Sequence, residues 1–197
     1  LSLTESNLRD ASARLSALRK AAVSDIEAQI SQMLIRLGMP SARFAIVIEH
    51  TDSIQFNGSD RLSFQFSANK GMPMADIASV ASGGELSRLM LAVKSLVSRK
   101  SLLPTIIFDE IDTGISGETA SQTARILETM ARDMQVMAIT HLPQLAACGS
   151  HHLKVIKEEN DNTTHTRLIR LDYEERMAEV ARMLGGDHPS EAMKRTA

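Results

Sequence analysis

The chain has 197 residues, of which 43% are hydrophobic, and its formal net charge is −2 at pH 7. This length suits one domain, or one domain with an appendage, and allows a sizeable core. The near-neutral charge gives no basic field of the kind that marks an obvious DNA-binding surface. A single cysteine, Cys148, excludes an internal disulfide and suits a reducing cytosol, so we expect a cytoplasmic location. The sequence shows no apolar run as long as a membrane span and no visible signal peptide.

The first predicted element is a long helix with a heptad seam. Between residues 1 and 22 the seam positions recur at alternating steps of three and four, which is typical of one strand of a coiled coil. From residue 26 to residue 37 the spacing approaches 3.6, as in a helix that lies on a globular body, and Gly38 and Pro40 end the pattern. Because a seam rich in alanine and serine needs a partner, we favour the base of a coiled-coil arm over an isolated surface helix. The helical pattern is already under way at Leu1, so we expect the chain to be part of a longer protein. The seam residues are Leu1, Thr4, Leu8, Ala11, Leu15, Leu18 and Ala22.

An antiparallel β meander is predicted next. Residues 44–49 form an apolar run, a second strand is expected to begin at Ile54 and Phe56, and residues 57–60 have the composition of a turn. Apolar and polar residues then alternate from Leu62 to Ser67. This pattern predicts a sheet with one face in water.

The second half of the chain has an α/β pattern. A helical stripe begins at Leu86, short apolar runs alternate with a further helix near residues 120–131, and a last helix ends at Gly185. Short apolar runs of this kind are typical of buried parallel strands, so the first two are predicted to form a β-α-β unit. The other two are predicted to form a hairpin around a polar loop at residues 157–165. In chain order the predicted strands cover residues 105–108, 136–139, 153–156 and 167–171.

Ser82, Gly83, Gly84 and Glu85 open the helix that follows the meander. As a structural motif, Ser-x-x-Glu before an apolar stripe is a capping box. A capping box needs no glycine pair, however, and adjacent glycines let a foreign group approach backbone N–H groups at a helix N-terminus, where the dipole favours an anion. Glu85 would repel a phosphate, so we expect it to turn back to its cap or to face a sugar. Taken alone the motif favours a cap, whereas the motifs that follow it favour a phosphate site.

Two carboxylates and a histidine are predicted at one edge of the parallel sheet. Asp109 and Glu110 end one buried strand, and His141 follows the next. Ligands bind beyond the carboxyl ends of parallel strands, so one carboxylate can hold Mg²⁺ through water while the next polarises a nucleophilic water. Solvated acids at a strand end and a structural histidine are the alternative interpretation.

The loop after the acidic pair contains Asp112, Gly114 and Gly117, so it is expected to be either mobile or tightly turned, and Ser116 is placed to cap the next helix. None of the 10 glycines is followed by lysine, so the chain lacks the Walker A loop that cradles β- and γ-phosphates. The sequence therefore predicts half of a nucleotide site. We expect this chain alone neither to bind ATP tightly nor to hydrolyse it.

Together these motifs resemble the second half of an ABC-type ATPase head, in the form found in SMC-like proteins of bacterial DNA repair. Residues 82–85 match the signature loop, residues 106–110 the Walker B strand, residues 112–117 the D-loop and His141 the switch histidine. The resemblance covers nearly the whole chain. It implies an α/β fold in which residues 38–197 form the C-terminal lobe of a P-loop NTPase-like head, with a mainly parallel sheet, flanking helices and an antiparallel meander. Residues 1–37 would be the end of a coiled-coil arm and the helix that enters the head.

The resemblance also implies a role for each site residue. ATP and Mg²⁺ would lie between two heads, with Asp109 supporting Mg²⁺, Glu110 acting as general base and His141 contacting the γ-phosphate. The signature loop would contact that phosphate from the opposite head. The residues assigned to nucleotide binding are Ser82, Gly83, Gly84, Glu85 and Asp112.

The implied function is ATP hydrolysis in DNA double-strand-break repair and recombination, by a cytoplasmic, nucleoid-associated protein without a membrane partner. The implied partners are an N-terminal lobe that carries Walker A, a second head in an ATP-dependent homodimer, and DNA bound through the full-length protein. The alternatives are half of a transporter, translation-factor or other SMC-type ATPase, or a dimerisation scaffold that does not hydrolyse ATP. Ile111 stands where transporter ATPases usually carry proline, and the heptad seam and meander replace a transporter's helical subdomain, so both argue against transport.

Overall fold

The computed structural model describes residues 2–79, 83–98, 103–109, 111–160 and 163–186. Leu1 of the predicted seam, Ser82 of the signature loop and Glu110 of the acidic pair lie outside these ranges. The chain divides into two compact units, residues 1–101 and residues 102–197. No helix in the described ranges is long and apolar enough to cross a bilayer.

The first unit begins with the 35-residue helix α1 (Ser2–Arg36), so the predicted helix is continuous. It ends in a Schellman motif, in which Gly38 adopts a φ of 76°. The N–H of Met39 donates to the carbonyl of Leu34 at 2.9 Å, and that of Gly38 donates to the carbonyl of Ile35 at 3.1 Å. Leu34 and Met39 are both buried. The predicted stop at Gly38 therefore works through the left-handed conformation that glycine adopts without strain.

The apolar seam of α1 faces solvent in this chain. Leu8, Leu15 and Leu18 are exposed, as expected for one strand of a coiled coil without its partner. The buried side chains in the first half of α1 are instead two serines, Ser12 and Ser16. The seam alone therefore did not predict which side of the helix meets the rest of the unit.

Three antiparallel strands follow, β1 (Arg43–Gln55), β2 (Gly58–Ser67) and the short β3 (Ala75–Asp76), in the order β1-β2-β3. The meander is confirmed, but the predicted strand break before Ile54 is wrong. His50 pairs with Asp60 and Gln55 with Gly58, so residues 51–54 of β1 oppose only one residue of β2. Such a bulge lets one strand continue through a polar stretch. The turn is consequently at Phe56 and Asn57, and residues 59–60 belong to β2.

The apolar face of the hairpin is only partly covered. Phe44 pairs with Phe66, and both are buried. The ring centroids of Phe44 and Phe64 lie 6.2 Å apart in a stacked arrangement, yet Phe64 and Leu62 are exposed. The alternation of apolar and polar residues therefore does not predict burial along this part of β2. Helix α1 contacts the start of β2, at Ser59 and Asp60, through polar side chains.

Those polar contacts form a cluster that we call the arm anchor: Ser12, Ser16 and Arg19 of α1 with Ser59 and Asp60 of β2. The hydroxyl oxygens of Ser12 and Ser59 lie 2.8 Å apart. Ser16 donates to Asp60 at 2.8 Å, and Arg19 donates to the other oxygen of Asp60 at 3.0 Å. The hydrogen bond from Ser16 lowers the pKa of Asp60, burial opposes this, and the nearby Arg19 adds to the lowering. The anchor therefore depends on an ionised Asp60.

Elsewhere α1 protects the free edge of the sheet and packs on a second helix. The carboxylate of Glu27 accepts the backbone N–H of Ile46 in the edge strand β1 at 2.7 Å, which occupies a donor that could pair with another strand. A 3₁₀ turn (Ile77–Ser79) follows β3, and helix α2 (Gly83–Ser98) packs against α1. Leu89 of the predicted stripe is buried in α2. Val97 is exposed instead of buried, while Leu91, which the stripe omits, is buried.

The second unit contains the predicted β-α-β unit. Strand β4 (Thr105–Phe108), helix α3 (Gly117–Met130) and strand β5 (Gln135–Ala138) follow in order, and β4 and β5 pair in parallel. Ser116 precedes α3 but makes no side-chain capping bond, so the predicted cap is wrong. The α/β class is confirmed. In the described residues the parallel sheet has two strands, and the other two sheets are antiparallel.

The rest of this unit is a short helix, a hairpin and a final helix. Helix α4 (Pro143–Cys148) has no counterpart in the sequence prediction. Strands β6 (His152–Asn160) and β7 (Thr163–Leu171) form the predicted hairpin but extend through most of the expected loop. Helix α5 (Tyr173–Gly185) begins with a capping box of Asp172 and Glu175 and ends at Gly186.

Helix α5 contacts strand β6 through an ion pair. Glu179 of α5 lies between Arg182 of the same helix and Lys154 of β6. The hydrogen bond from Arg182 lowers the pKa of Glu179 to about 2, burial opposes it, and Lys154 contributes further lowering. This contact is therefore charged throughout the neutral range.

The arm anchor leads to a prediction about α1. Without a coiled-coil partner, the helix before Ala22 is expected to fray or to self-associate, but the anchor should hold it from Ser12 onward. Asp60→Asn removes the charge that Ser16 and Arg19 contact, so the backbone amides of residues 12–19 should exchange faster with deuterium. The amides of residues 23–36 should keep their protection.

The matched control is Asp52→Asn, a change at an exposed carboxylate on β1. It should leave the exchange profile of α1 unchanged. Equal protection of residues 12–19 in wild type and Asp60→Asn would show that the anchor does not hold the helix.

Candidate functional site

The start of α2 is open to an approaching group. The helix begins at Gly83, and a Cβ placed there would meet no atom of the described residues within 4 Å, its chain neighbours and own helix backbone aside. Gly83 is exposed and Gly84 is half-buried. The first turn of a helix carries backbone N–H groups without intrahelical partners, which is what an anion site uses.

Glu85 is engaged with the loop after β2. Its carboxylate accepts a hydrogen bond from the side-chain amide of Asn69 at 3.4 Å. The expected return of Glu85 to its cap involves Ser82, which lies outside the described residues. Asn69 was not singled out in the sequence, because it sits 16 residues before Glu85 in an irregular loop.

Arg88 is a second residue that the sequence motifs did not identify. It lies four residues after Gly84 in α2, and its buried Nε has no hydrogen-bond partner among the described residues. Burial lowers the pKa of Arg88, and the negative charge of Glu85 opposes that shift. An unpaired buried donor is costly, so this position favours a partner from outside the described part of the chain.

In the second unit, the parallel pair places two predicted residues at one edge. Asp109 follows β4 and is exposed. The backbone N–H of Ile139 donates to the carbonyl of Phe108 at 2.9 Å, which continues the pairing one residue beyond β5. Thr140 and His141 come next, so Asp109 and His141 both follow the carboxyl ends of paired strands.

Asp112 connects the two loops at that edge. One of its oxygens, Oδ2, accepts from the hydroxyl of Thr140 at 2.6 Å and from the backbone N–H of His141 at 2.8 Å. The same oxygen lies 3.0 Å from Nδ1 of the His141 ring. The Asp112 side chain is 3% exposed, whereas that of His141 is 75% exposed. The carboxylate of Asp112 is thus buried, whereas the imidazole of His141 is exposed to solvent.

The electrostatics of Asp112 favour its ionised form. Burial would raise the pKa of this carboxyl, but the hydrogen bonds from Thr140 and from the backbone of His141 outweigh burial and lower the pKa below its usual value. Asp112 therefore accepts these bonds as a carboxylate at neutral pH.

The D-loop is tightly turned in the structure. The N–H of Ile115 donates to the carbonyl of Asp112 at 3.3 Å, and Gly114 and Gly117 have φ angles of 73° and 52°. Ile111 and Ile115 are buried on either side of the turn. Of the two expectations for this loop, the structure therefore favours the tight turn.

Asp109 fits the kind of ligand that Mg²⁺ takes in a nucleotide site. Within the described ranges, no group of three or more His, Cys, Asp or Glu side chains could hold a metal ion. Mg²⁺ in nucleotide sites needs fewer protein ligands, because phosphate oxygens and waters complete its shell. An exposed carboxylate at the end of a parallel strand, such as Asp109, can supply one such contact directly or through water.

Comparisons with known proteins find relatives over most of this chain. No protein-family model matches the chain. The DNA repair protein RecN of Vibrio cholerae is 42% identical over 170 residues, which cover 85% of this chain and 30% of that protein. RecN of Haemophilus influenzae is 39% identical over 178 residues, covering 90% of this chain and 32% of the relative. RecN of Bacillus subtilis is 44% identical over 140 residues, which cover 71% of this chain and 24% of that protein.

Solved structures show the same fold. The Smc head domain with a coiled coil and joint from Pyrococcus yayanosii superposes with a TM-score of 0.59 at 21% identity, covering 81% of this chain and 29% of that one. A structure from work on ATP-driven dimerization and DNA-stimulated activation of SMC ATPases superposes with a TM-score of 0.55 at 18% identity. The match covers 88% of this chain and 99% of that one. The chain spans about a third of the length of the curated relatives it matches. Over most of its length the chain is therefore similar to part of the RecN proteins of several bacteria, and its fold is that of the Smc head structures.

Proposed function

We propose that this chain is the C-terminal lobe of an SMC-like head that binds and hydrolyses ATP in DNA double-strand-break repair and recombination. The observation that carries the proposal is the parallel pairing of β4 and β5, which puts Asp109 and His141 at one sheet edge. The open first turn of α2 supplies the other element that a nucleotide dimer needs. The relatives' description as DNA repair proteins supports the biological role.

The proposed boundaries are residues 1–37 for the arm and residues 38–197 for the head lobe. The exposed leucines of α1 support an arm whose partner strand lies elsewhere in the protein. The arm anchor supports a firm junction, because Ser16 and Arg19 attach α1 to the hairpin.

The proposed chemistry is phosphoryl transfer to water. Asp109 would support Mg²⁺, which neutralises phosphate charge when bound, and Glu110 would accept a proton from the attacking water. His141 would contact the γ-phosphate through its exposed ring. Ser82, with the open backbone at Gly83, would contact the phosphate held by a second head.

The N-terminal lobe is the proposed partner for the open face of the parallel pair. Ile107 of β4, its pairing partner Met137 of β5 and Ile139, one residue beyond β5, are exposed large apolar residues. Parallel strands are normally covered on both faces, so an apolar face of this kind needs a covering element. The portion of the relatives that this chain does not match is long enough to supply it.

The other proposed partners are a second head and DNA. ATP-driven dimerization and DNA-stimulated activation are named for an SMC ATPase of the same fold. For this chain we propose an ATP-dependent homodimer of heads in the cytoplasm, at the nucleoid. A head that dimerises without hydrolysis is the alternative, and nucleotide turnover by the full-length protein separates the two.

The chain alone is predicted to be inactive towards ATP. Without a Walker A loop it lacks most ground-state phosphate contacts, so calorimetry should detect no tight ATP binding. A phosphate-release assay should give the same rate for this chain and for its Glu110→Gln variant. Micromolar ATP affinity, or a rate above that of the variant, would contradict the prediction.

In the full-length protein, Glu110→Gln should preserve ATP binding and slow hydrolysis by about 10²-fold or more, the usual range for loss of a general base. Because ATP would persist between the heads, the variant should accumulate as an ATP-dependent dimer in size-exclusion chromatography. Glu118→Gln, an exposed change on α3, is the matched control and should leave both properties unchanged. A normal rate for Glu110→Gln would remove the general-base assignment.

Ser82→Arg should give the opposite phenotype in the full-length protein. Its bulky side chain would enter the opposing phosphate site, so the variant should bind ATP in its own N-terminal lobe yet neither dimerise nor turn over. Ser53→Arg on the exposed bulge of β1 is the control. If Ser82→Arg still dimerises with ATP, the signature loop does not act across the dimer.

A further inference from the structure

A cavity of about 450 Å³ lies in the first unit, beside the loop that follows β2. It is formed by the connection from α1 to β1, by the first residue of β1 and by residues 70–73 of that loop. The described residues that line it include two cations and no carboxylate. A concave surface with one sign of charge attracts a ligand of the opposite sign, here an anion. The lining residues are Ser41, Arg43, Lys70, Gly71, Met72 and Pro73.

Hydrogen bonds hold the loop that carries Lys70 against the hairpin. The carbonyl of Met72 accepts from the guanidinium of Arg43 at 2.8 Å and from the hydroxyl of Ser67 at 3.1 Å. Ser67 is buried at the end of β2. The backbone N–H of Met72 donates to the carbonyl three residues earlier at 3.3 Å, which closes a turn in which Gly71 has a φ of 85°. Lys70 is therefore at the tip of a turn that is fixed to both strands of the hairpin.

The polar side chains around the cavity keep donors available for a ligand. Within the described part of the chain, Arg43 makes one side-chain hydrogen bond, through Nη2, so the remaining N–H donors of its guanidinium are available. Lys70 and Ser41 make no side-chain hydrogen bond or ion pair with the described residues. All three residues are exposed. The cavity thus combines a planar guanidinium, a compact ammonium and a hydroxyl that are not occupied by the protein itself.

We propose that Arg43, Lys70 and Ser41 form a binding site for a phosphate group, in which the two cations neutralise its charge and the hydroxyl donates to a further oxygen. A tetrahedral phosphate accepts from more directions than a planar carboxylate does, and guanidinium and ammonium groups both bind it well. Free phosphate and the backbone of a nucleic acid both carry this group. The site uses no residue of the proposed ATPase centre, so its test does not depend on ATP hydrolysis.

The first test is an NMR titration of the nitrogen-15-labelled 197-residue chain with inorganic phosphate at neutral pH, in which phosphate replaces chloride at constant ionic strength. In wild type the amide signals of residues 41–43 and 70–72 should shift and reach saturation. Lys70→Gln should raise the Kd by about 3- to 5-fold, near the upper end for an exposed ion pair. The matched control is Lys157→Gln, which removes an exposed lysine from the other unit and should leave the Kd unchanged.

A second pair of variants tests the guanidinium. Arg43→Gln should also raise the Kd, whereas Arg14→Gln, an exposed change on α1, should not. Because Arg43 also bonds the loop, the decisive variant is Lys70→Gln, which leaves both bonds to the Met72 carbonyl in place. Equal Kd values for wild type and Lys70→Gln, or no saturable shift at the cavity, overturn the proposal. A titration with acetate that gives the same shifts and the same Kd overturns the assignment to phosphate.

A single-stranded thymidine oligonucleotide distinguishes the two sources of the phosphate group. If the site holds a nucleic-acid backbone, fluorescence anisotropy should show weaker binding to Lys70→Gln than to wild type. The slope of log K against log salt concentration should then be smaller in the variant by about 0.7, the value for one phosphate contact on a single strand. Cavity signals that respond to inorganic phosphate but not to the oligonucleotide support a site for small phosphates and refute the nucleic-acid source. No response to either probe overturns the site, and none of these outcomes bears on the proposed ATPase.

Discussion

The parallel pairing of β4 and β5 is the constraint on which the candidate site depends. Thr105 pairs with Gln135 and Phe108 with Ala138, so both strands run towards the same edge. Parallel neighbours need a crossover connection, and α3 supplies it between the D-loop and β5. The two loops that leave the edge must then lie side by side, whatever their sequences. Only this adjacency lets Asp112 reach Thr140 and His141, which are 28 and 29 residues further along the chain.

Each unit exposes apolar side chains in the described part of the chain. In the second unit Ile107 and Met137 are exposed. In the first unit Phe64 stays exposed although it stacks on Phe44, and the leucine seam of α1 faces solvent. These surfaces differ in kind. A sheet face of alternate residues suits a packed layer, whereas a heptad seam suits another helix.

The sequence predicted best where local pattern and tertiary structure agree. Strand β4 was predicted with its observed bounds. Its four residues have strand-forming character, and the acidic pair that follows them is costly to bury, so the buried strand ends before that pair. The course of β1 was missed, because a bulge is set by pairing with β2 and has no signal in β1 alone. Asp112 was interpreted as a nucleotide contact from its place in the D-loop. Its carboxylate accepts from Thr140, which no local pattern connects to it. The contacts of Ser12 and Ser16 with β2 were not predicted for a similar reason, because a heptad pattern is defined by the apolar positions beside these serines.

The arm anchor and the D-loop use the same physical device. In each, a buried aspartate accepts from a hydroxyl and from an N–H group: Ser16 and Arg19 donate to Asp60, and Thr140 and the backbone N–H of His141 donate to Asp112. The hydrogen bonds lower the pKa of both carboxyls despite burial. A carboxyl whose pKa is lowered in the folded state stabilises it fully above the pKa of the unfolded chain, and the stabilisation is lost as pH falls through the folded pKa. Protonation would remove the negative charge of the acceptor and leave a neutral carboxyl, which is a weaker acceptor for these donors. The junction with the arm and the position of His141 should therefore weaken together in acid, although they lie in different units, because both depend on carboxylates that are surrounded by donors.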